Sequence, residues 1–210
     1  MKRSEQLSLV ISLFILLALP LGRAQDQSGT ESQRLARHLQ ACDAGDARSC
    51  DALGMMYDWG EGVAQSNSNA LALYRKAVEI YTRKCAGGDM HNCQGLGIMY
   101  VTGRGVEEDD AQAVALFRKA CDGGDMAGCS SLGIQYDNGE GVKKDKAQAL
   151  VLWRRACDGS DPNGCHSLGI EYEYGGQVPA DKAQAIEFYR KACDGGDSDG
   201  CKSLKKLEGK

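Results

Sequence analysis

The amino-acid sequence predicts an all-α protein, a right-handed α/α solenoid in which every repeat is a pair of helices. Two motifs, Leu-Gly-Ile and Asp-x-Ala-Gln-Ala, recur in one register with a period of 36 residues. Cysteines recur in the same register as pairs with seven residues between them: Cys42 and Cys50, Cys85 and Cys93, Cys121 and Cys129, Cys157 and Cys165, and Cys193 and Cys201. A fixed period of this length is typical of a stacked array, because one such unit cannot bury its apolar face alone.

The unit that begins at Asp125 shows why two helices are expected in each repeat. Asp125 is a typical N-cap, and Gly139 ends the first helix in a tight turn. Asp145 and Gln148 form the capping-box signature of the second helix. The recurrent Gly133 predicts that the two helices approach each other closely. The second helix carries a buried stripe at helical spacing, which consists of Ala149, Leu152, Trp153 and Ala156.

The period organises residues 31–208 into one repeat domain. Helix pairs are expected at about 46–85, 89–121, 125–157 and 161–193, with capping helices at 31–43 and 197–208. The first interval between cysteine pairs is 43 residues, because residues 78–84 are extra. Seven residues are close to two α-helical turns, so this insertion should lengthen a helix without rotating its face.

Residues 1–24 have the pattern of a secretory signal peptide. Lys2 and Arg3 precede an almost wholly apolar run, Leu7 to Leu21, and Ala24 supplies a small residue at the expected cleavage site. The alternative is an uncleaved anchor helix, but the run is shorter than the roughly 20 residues that span a bilayer. We therefore expect a secreted or periplasmic protein with no membrane span after cleavage, beginning with a flexible segment at 25–30.

The charge of the chain is acidic. The formal net charge of −4 becomes −6 when residues 1–24, which contain Lys2, Arg3, Arg23 and Glu5, are removed. No basic block offers a surface for nucleic acid, so no nucleic-acid partner is expected. We also expect no cofactor.

The motifs of each unit resemble a known repeat. Leu-Gly-x-x-Tyr, Gly-x-Gly-Val and Asp-x-Ala-Gln-Ala, in this order, closely resemble the Sel1-like repeat, a relative of the tetratricopeptide repeat. With one cysteine pair in each unit, residues 31–205 resemble the cysteine-rich Sel1-repeat proteins secreted by helicobacters. The chain departs from the pattern at residues 78–84, at residues 175–178 and in the weaker capping pair Ser66 and Asn69.

The positions of the cysteines predict five structural disulfide bonds. Cys121 lies in the last turn of one predicted helix and Cys129 in the first turn of the next, so their side chains should face each other across the hairpin. The same argument pairs all ten cysteines as 42–50, 85–93, 121–129, 157–165 and 193–201. The alternatives are a zinc site, which needs closely spaced cysteines or a Cys/His cluster, and a redox centre, which needs Cys-x-x-Cys or an unpaired thiol. The sequence has neither pattern.

Candidate catalytic residues are few. His38, His91 and His166 occupy different positions in their units, so we predict no metal site. Ser203 and Lys206 match Ser-x-x-Lys, the nucleophile motif of penicillin-binding enzymes, but neither Ser-Asp-Asn nor Lys-Thr-Gly accompanies it. The resemblance leaves one enzymatic alternative, because cysteine-rich relatives are described as penicillin-binding and weakly active on β-lactams. We assign no residue of this chain a catalytic role.

The residues that vary between units indicate a binding surface. In each first helix a stripe at i, i+4 and i+7 changes its chemistry, and its partner-binding candidates are Met56, Trp59, Met99, Thr102, Gln135, Asn138, Glu171 and Tyr174. By analogy with related solenoids the first helices line the concave wall, where Met56, Trp59 and Met99 would form an exposed apolar patch. The alternative is that Met56 and Trp59 pack against the neighbouring unit.

These features favour an exported, monomeric, disulfide-stabilised scaffold that binds a protein or peptide through its concave face. The resemblance implies an alternative, a weak β-lactam-binding or β-lactam-hydrolysing protein. A third interpretation is a eukaryotic protein of the secretory pathway or the mitochondrial intermembrane space, where disulfide-bearing Sel1 proteins also occur. The apolar leader disfavours the mitochondrial version, because transit peptides are amphipathic and rich in arginine.

Overall fold

The computed structural model of the chain describes residues 21–209, with side chains from residue 30 onwards. This part of the chain is all-helical, with ten helices and no strand: α1 Leu21–Asp43, α2 Ala47–Trp59, α3 Asn67–Ala86, α4 Met90–Thr102, α5 Asp110–Asp122, α6 Met126–Asn138, α7 Lys146–Asp158, α8 Pro162–Tyr174, α9 Lys182–Asp194 and α10 Ser198–Glu208. The predicted α/α solenoid is confirmed.

The N-terminal end of the structure differs from the expected flexible start. Residues 25–30 belong to helix α1, which begins at Leu21, and no proline interrupts the segment between Leu21 and Asp43. The predicted cleavage after Ala24 would fall within the first turns of this helix. Residues 1–20, which contain most of the predicted signal peptide, lie outside the described residues.

The helices stack in two layers. Each helix packs on the next one along the chain, and α4, α6, α8 and α10 also contact one another in succession. The odd-numbered helices make no comparable contacts among themselves in the described part of the chain. In a curved stack the layer whose helices approach each other more closely is the inner one, so the even-numbered helices form the concave side.

Local sequence explains where the first helices begin and end. Each has an aspartate N-cap whose carboxylate accepts a backbone N–H of the first turn: Asp46, Asp89, Asp125, Asp161 and Asp197. Helices α2, α4, α6 and α8 all end at a glycine with positive φ, in the left-handed region that residues with a Cβ rarely adopt.

A second set of glycines lets the two layers meet. The glycine of each Leu-Gly pair lies against an aromatic ring of the following helix, in the pairs Gly54 with Tyr74, Gly97 with Phe117, Gly133 with Trp153, and Gly169 with Tyr189. A Cβ atom on Gly97 would stand 2.5 Å from the Phe117 ring, far inside van der Waals contact. The close approach expected at Gly133 is therefore present in all four helix pairs.

The five disulfides of the structure have the predicted pairing. They join Cys42 to Cys50, Cys85 to Cys93, Cys121 to Cys129, Cys157 to Cys165, and Cys193 to Cys201. Each ties the end of an odd-numbered helix to the start of the next even-numbered one. No cysteine is left free.

The insertion lengthens a helix, as its length of seven residues predicted. Helix α3 has 20 residues, whereas α5, α7 and α9 have 13 each. Two of the inserted side chains, Ile80 and Tyr81, are buried. The two additional turns thus contribute to the core.

Side chains of the inner layer also join neighbouring units through the N-cap carboxylates. The Ser130 hydroxyl donates to Asp161 over 2.5 Å, and Nδ1 of His166 lies 2.7 Å from Asp197. At the first junction the residue that corresponds to Ser130 and His166 is Asp51, which as a carboxylate has no proton to donate. Asp89 accepts its hydrogen bonds from Asn92 of the helix that it caps.

Candidate functional site

The even-numbered helices present a continuous surface on the concave side, which we call the inner face. One apolar residue recurs there at the same position of each helix, nine residues after the N-cap: Met55, Ile98, Ile134 and Ile170. Ile134 and Ile170 are 42% and 43% exposed, and Met55 and Ile98 are half-buried. We call these four residues the apolar column.

An exposed aromatic side chain stands at each end of the apolar column. Trp59, one turn beyond Met55, is 67% exposed, and Tyr174, one turn beyond Ile170, is 69% exposed. At the same position α4 and α6 carry the exposed Thr102 and Asn138. Accessible apolar groups that extend over several neighbouring helices are a common feature of protein-binding surfaces.

Four of the eight predicted partner-binding residues are on this face, and the other four are buried. Trp59, Thr102, Asn138 and Tyr174 are exposed. The remaining four are at most 9% exposed, and they are Met56, Met99, Gln135 and Glu171. The expectation of an exposed Met56–Trp59–Met99 patch is therefore wrong for its two methionines, because both side chains turn into the core that α2, α3 and α4 share.

The stripe predicted from the sequence lies one residue further along each helix than the apolar column. Met55 and Ile98 directly precede Met56 and Met99 in the sequence, and one residue is a rotation of about 100° on an α-helix. The signal that could have found the column is the third residue of Leu-Gly-Ile, which stays apolar although the second helix already packs on the leucine and the glycine.

In α8 the residue at the buried position of the stripe is the polar Glu171, and it has a structural role. Glu171 lies where α2 and α4 have methionine, and its carboxylate accepts the backbone N–H of Gln177 over 2.8 Å. A Cβ on Gly176 would collide with the same carboxylate. Glu171 therefore orders the loop at 175–178 that departs from the repeat pattern, and this role accounts for its burial.

A depression of the inner face lies at the junction of α2 and α4. It has a volume of about 200 Å³ and is lined by Arg48, Asp51, Tyr81, His91, Gln94, Gly95 and Ile98. Tyr81 belongs to the insertion, and its ring lies where a side chain on Gly95 would have to go. The inserted turns thus place a phenol beneath the inner face, and we call this depression the junction cavity.

Two groups of the junction cavity retain hydrogen-bonding capacity. Tyr81 is only 7% exposed, and its hydroxyl has no hydrogen-bond partner among the described residues. Burial raises the pKa of Tyr81 to about 12, with the Asp51 carboxylate acting in the same direction, so the hydroxyl keeps its proton. Asp51 is ion-paired with Arg104 over 2.9 Å through one buried oxygen, and its second oxygen is not part of this pair. Burial raises the pKa of Asp51, and Arg104 opposes the shift.

Two contacts of the His91 ring position the Arg48 guanidinium at the junction cavity. Arg48 donates to Nε2 of His91, and Nδ1 of the same ring lies 3.2 Å from the Asp125 carboxylate. One neutral tautomer satisfies both contacts, with the Nδ1 proton directed to Asp125 and Nε2 accepting from Arg48. The hydrogen-bond partner of Arg48 is a ring nitrogen, so its positive charge is not paired with a carboxylate there.

The three histidines do not come together. His38 lies 3.5 Å from the Ser49 hydroxyl, His91 is at the junction cavity, and His166 pairs with Asp197. Among the described residues no three His, Cys, Asp or Glu side chains are placed to hold a metal ion.

The Ser-x-x-Lys match does not form a nucleophile and base. Lys206 is ion-paired with Glu173 over 3.2 Å. Its hydrogen bond with Glu173 and the charge of that carboxylate raise the pKa of Lys206, so the amine stays protonated and cannot accept a proton from Ser203. Ser203 shares a hydrogen bond with the Tyr189 hydroxyl. The geometry does not favour the β-lactam alternative.

Within residues 21–209 there is also no helix with both the length and the apolar character to cross a membrane.

Comparison with known families identifies the repeat. The model of the Sel1 repeat matches residues 47–79, 93–125, 127–161 and 162–197, which together make up well over half of the chain. The chain belongs to the Sel1 repeat family. The resemblance found in the sequence motifs is thereby confirmed, and the four Sel1 matches include the four inner helices that carry the apolar column, apart from the first residues of α4 and the first residue of α6.

Solved Sel1 structures resemble this chain over most of its length. A Sel1 repeat protein from Oxalobacter formigenes is 25% identical with a TM-score of 0.59, over 82% of this chain and 66% of that one. The protein c5321, a protective antigen present in uropathogenic Escherichia coli strains, is 31% identical with a TM-score of 0.53, over 82% of this chain and 36% of that one. Helicobacter pylori cysteine rich protein B is 30% identical with a TM-score of 0.49, over 61% of this chain and 92% of that one.

The chain is shorter than the first two of these Sel1 proteins, and it spans 66% of one and 36% of the other. A comparison with curated proteins gave no match.

Proposed function

We propose that this Sel1 repeat protein is an exported scaffold that binds an extended peptide or protein segment along its inner face. The observation that carries the proposal is the apolar column with its two exposed aromatic ends. Solenoids expose such a face as one extended concave surface, and aromatic side chains are frequent anchors of protein interfaces. An extended segment with apolar side chains suits a surface whose apolar groups recur once per unit.

The five disulfides support the exported location. Structural disulfides persist in oxidising compartments, such as the periplasm and the extracellular space, and are rare in the cytosol. Their number in a chain of 210 residues, together with the leader predicted at 1–24, favours a secreted or periplasmic protein. Protein produced with its own leader should begin at Gln25, which mass spectrometry of the intact chain would measure.

Selection from a displayed library of random peptides tests the binding role. Binding of the selected peptides is then measured by fluorescence anisotropy with Trp59→Ala and Ile134→Ser on the inner face. We expect each substitution to weaken binding at least about tenfold, as is typical when a buried anchor of an interface is removed.

The matched control lies on the other layer. Val151 of α7 is 60% exposed and apolar, so Val151→Ser removes a comparable group from the outer surface. It should leave binding unchanged. The proposal fails if the selection yields no binder, or if Val151→Ser weakens binding while Trp59→Ala and Ile134→Ser do not.

A further inference from the structure

The junction cavity is an indentation of the inner face that is lined by polar groups. Tyr81 lines the cavity, and its phenol is buried and keeps its proton. Arg48 adds a guanidinium, and Asp51 adds a partly accessible carboxylate whose second oxygen is not part of the pair with Arg104. A buried phenol without a hydrogen-bond partner is unfavourable, so a ligand that accepts a hydrogen bond from Tyr81 would be stabilised there.

The polar groups of the cavity define the ligand. A guanidinium and a phenol are both donors, and together they suit a carboxylate, which accepts several hydrogen bonds. The second oxygen of Asp51, which is not part of the pair with Arg104, suits a nearby N–H group. Because Arg104 already balances the charge of Asp51, this carboxylate does not need a cationic ligand.

We propose that the junction cavity binds the C-terminal residue of a peptide, with the carboxylate on Arg48 and Tyr81 and the last amide N–H on Asp51. The C-terminal residue of a peptide carries these two groups on one Cα atom. This proposal rests on the proposed function and adds to it a preferred end of the bound segment.

The size and the walls of the cavity fit one residue. A volume of about 200 Å³ is below the roughly 300–1,000 Å³ of pockets for drug-sized ligands. Ile98 lines the cavity and belongs to the apolar column, so the side chain of a terminal leucine would lie against it. The preceding residues of the peptide would then run towards Ile134 and Ile170.

Small probes test this site separately from the peptide-binding role. N-acetyl-leucine carries a carboxylate and an amide N–H, N-acetyl-leucinamide lacks the carboxylate, and leucine has an ammonium group in place of the amide. Titration of the oxidised, leader-free protein is followed by NMR shifts of backbone amides. We expect saturable shifts at Arg48, Tyr81 and Gly95 with N-acetyl-leucine, and affinities at least about tenfold lower for the other two probes.

Two variants with matched controls locate the binding. Tyr81→Phe removes the hydroxyl and Arg48→Met removes the guanidinium, and each should lower the affinity for N-acetyl-leucine about fivefold to tenfold. Tyr172→Phe and Arg118→Met make the same changes elsewhere, at a buried phenol and at an exposed arginine. Both controls should bind as the parent protein does. Unfolding midpoints of all four variants establish that they are folded.

Three results would overturn the assignment: no saturable shift at the cavity, equal binding of N-acetyl-leucinamide, or tighter binding of free leucine. None of them affects the test of the inner face, because displayed peptides that bind through internal residues would still depend on Trp59 and Ile134. Failure of this proposal is therefore distinguishable from failure of the proposed function.

Discussion

The junction between α2 and α4 and the junctions that follow it are built from the same repeat but differ in how the inner helices meet. Helices α4, α6 and α8 contact one another directly, whereas α2 and α4 do not do so to a comparable extent. At the later junctions Ser130 and His166 bind the next N-cap carboxylate, and at the first one Asp51 pairs instead with Arg104. The first junction therefore has space where the later ones have contacts.

The difference shows how an insertion that preserves a helix face can still create a site. Two additional turns in α3 keep Tyr74 and the cysteines in register, as the period requires. They also introduce Tyr81, whose ring takes the space next to Gly95. In the regular part of the array the inner helices instead contact one another in succession, α4 with α6 and α6 with α8.

The largest expected effect is on the free energy of unfolding when a disulfide is removed. It tests whether the hairpin turns are equivalent at the first junction and at the later ones. The double substitutions Cys85→Ala/Cys93→Ala and Cys121→Ala/Cys129→Ala each remove a disulfide whose cysteines are eight residues apart. Loop entropy for a segment of this length gives a loss of about 2.6 kcal/mol in the free energy of unfolding for both. Urea unfolding measures the two losses, and a clear difference between them would mean that the insertion also changes the turn.

A smaller effect is expected at the N-caps, and it should differ between the junctions. Asp161→Ala removes a cap and leaves the buried hydroxyl of Ser130 without its partner, so we expect a loss of about 2 kcal/mol. Asp89→Ala removes a cap alone and should cost about 1 kcal/mol. Equal losses, measured by the same urea method, would contradict the description of the first junction as lacking this bond between units.

The smallest expected effect on the free energy of unfolding distinguishes Gly97, which packs on the Phe117 ring, from Gly95, which lines the junction cavity. Gly97→Ala forces a methyl group against the buried Phe117 ring, and overpacking should outweigh the gain in helix propensity by about 1 kcal/mol. Gly95→Ala meets the Tyr81 ring, which borders the junction cavity and has room to move, so its net cost should be below about 0.5 kcal/mol. Denaturant midpoints of the two variants check this order. A larger loss for Gly95→Ala would show that the Tyr81 ring is held rigidly.

The amino-acid sequence by itself determined the repeat architecture of this protein. The period of 36 residues, the aspartate caps and the glycine stops are local signals, because each depends on residues within a few positions of one another. The disulfide pairing followed for the same reason, since each bond joins cysteines eight residues apart across one turn. The length of the insertion was enough to predict a longer α3.

The tertiary structure decided which side of each inner helix faces outwards and what the insertion creates. Met56 and Ile98 are both apolar residues of an inner helix, yet the first is buried and the second borders a cavity, because the rotation of a helix is set by the helices packed against it. The junction cavity unites Arg48 of α2, Tyr81 of α3 and His91 of α4. No local pattern connects these three residues, since only the stacking of the helices brings their side chains together.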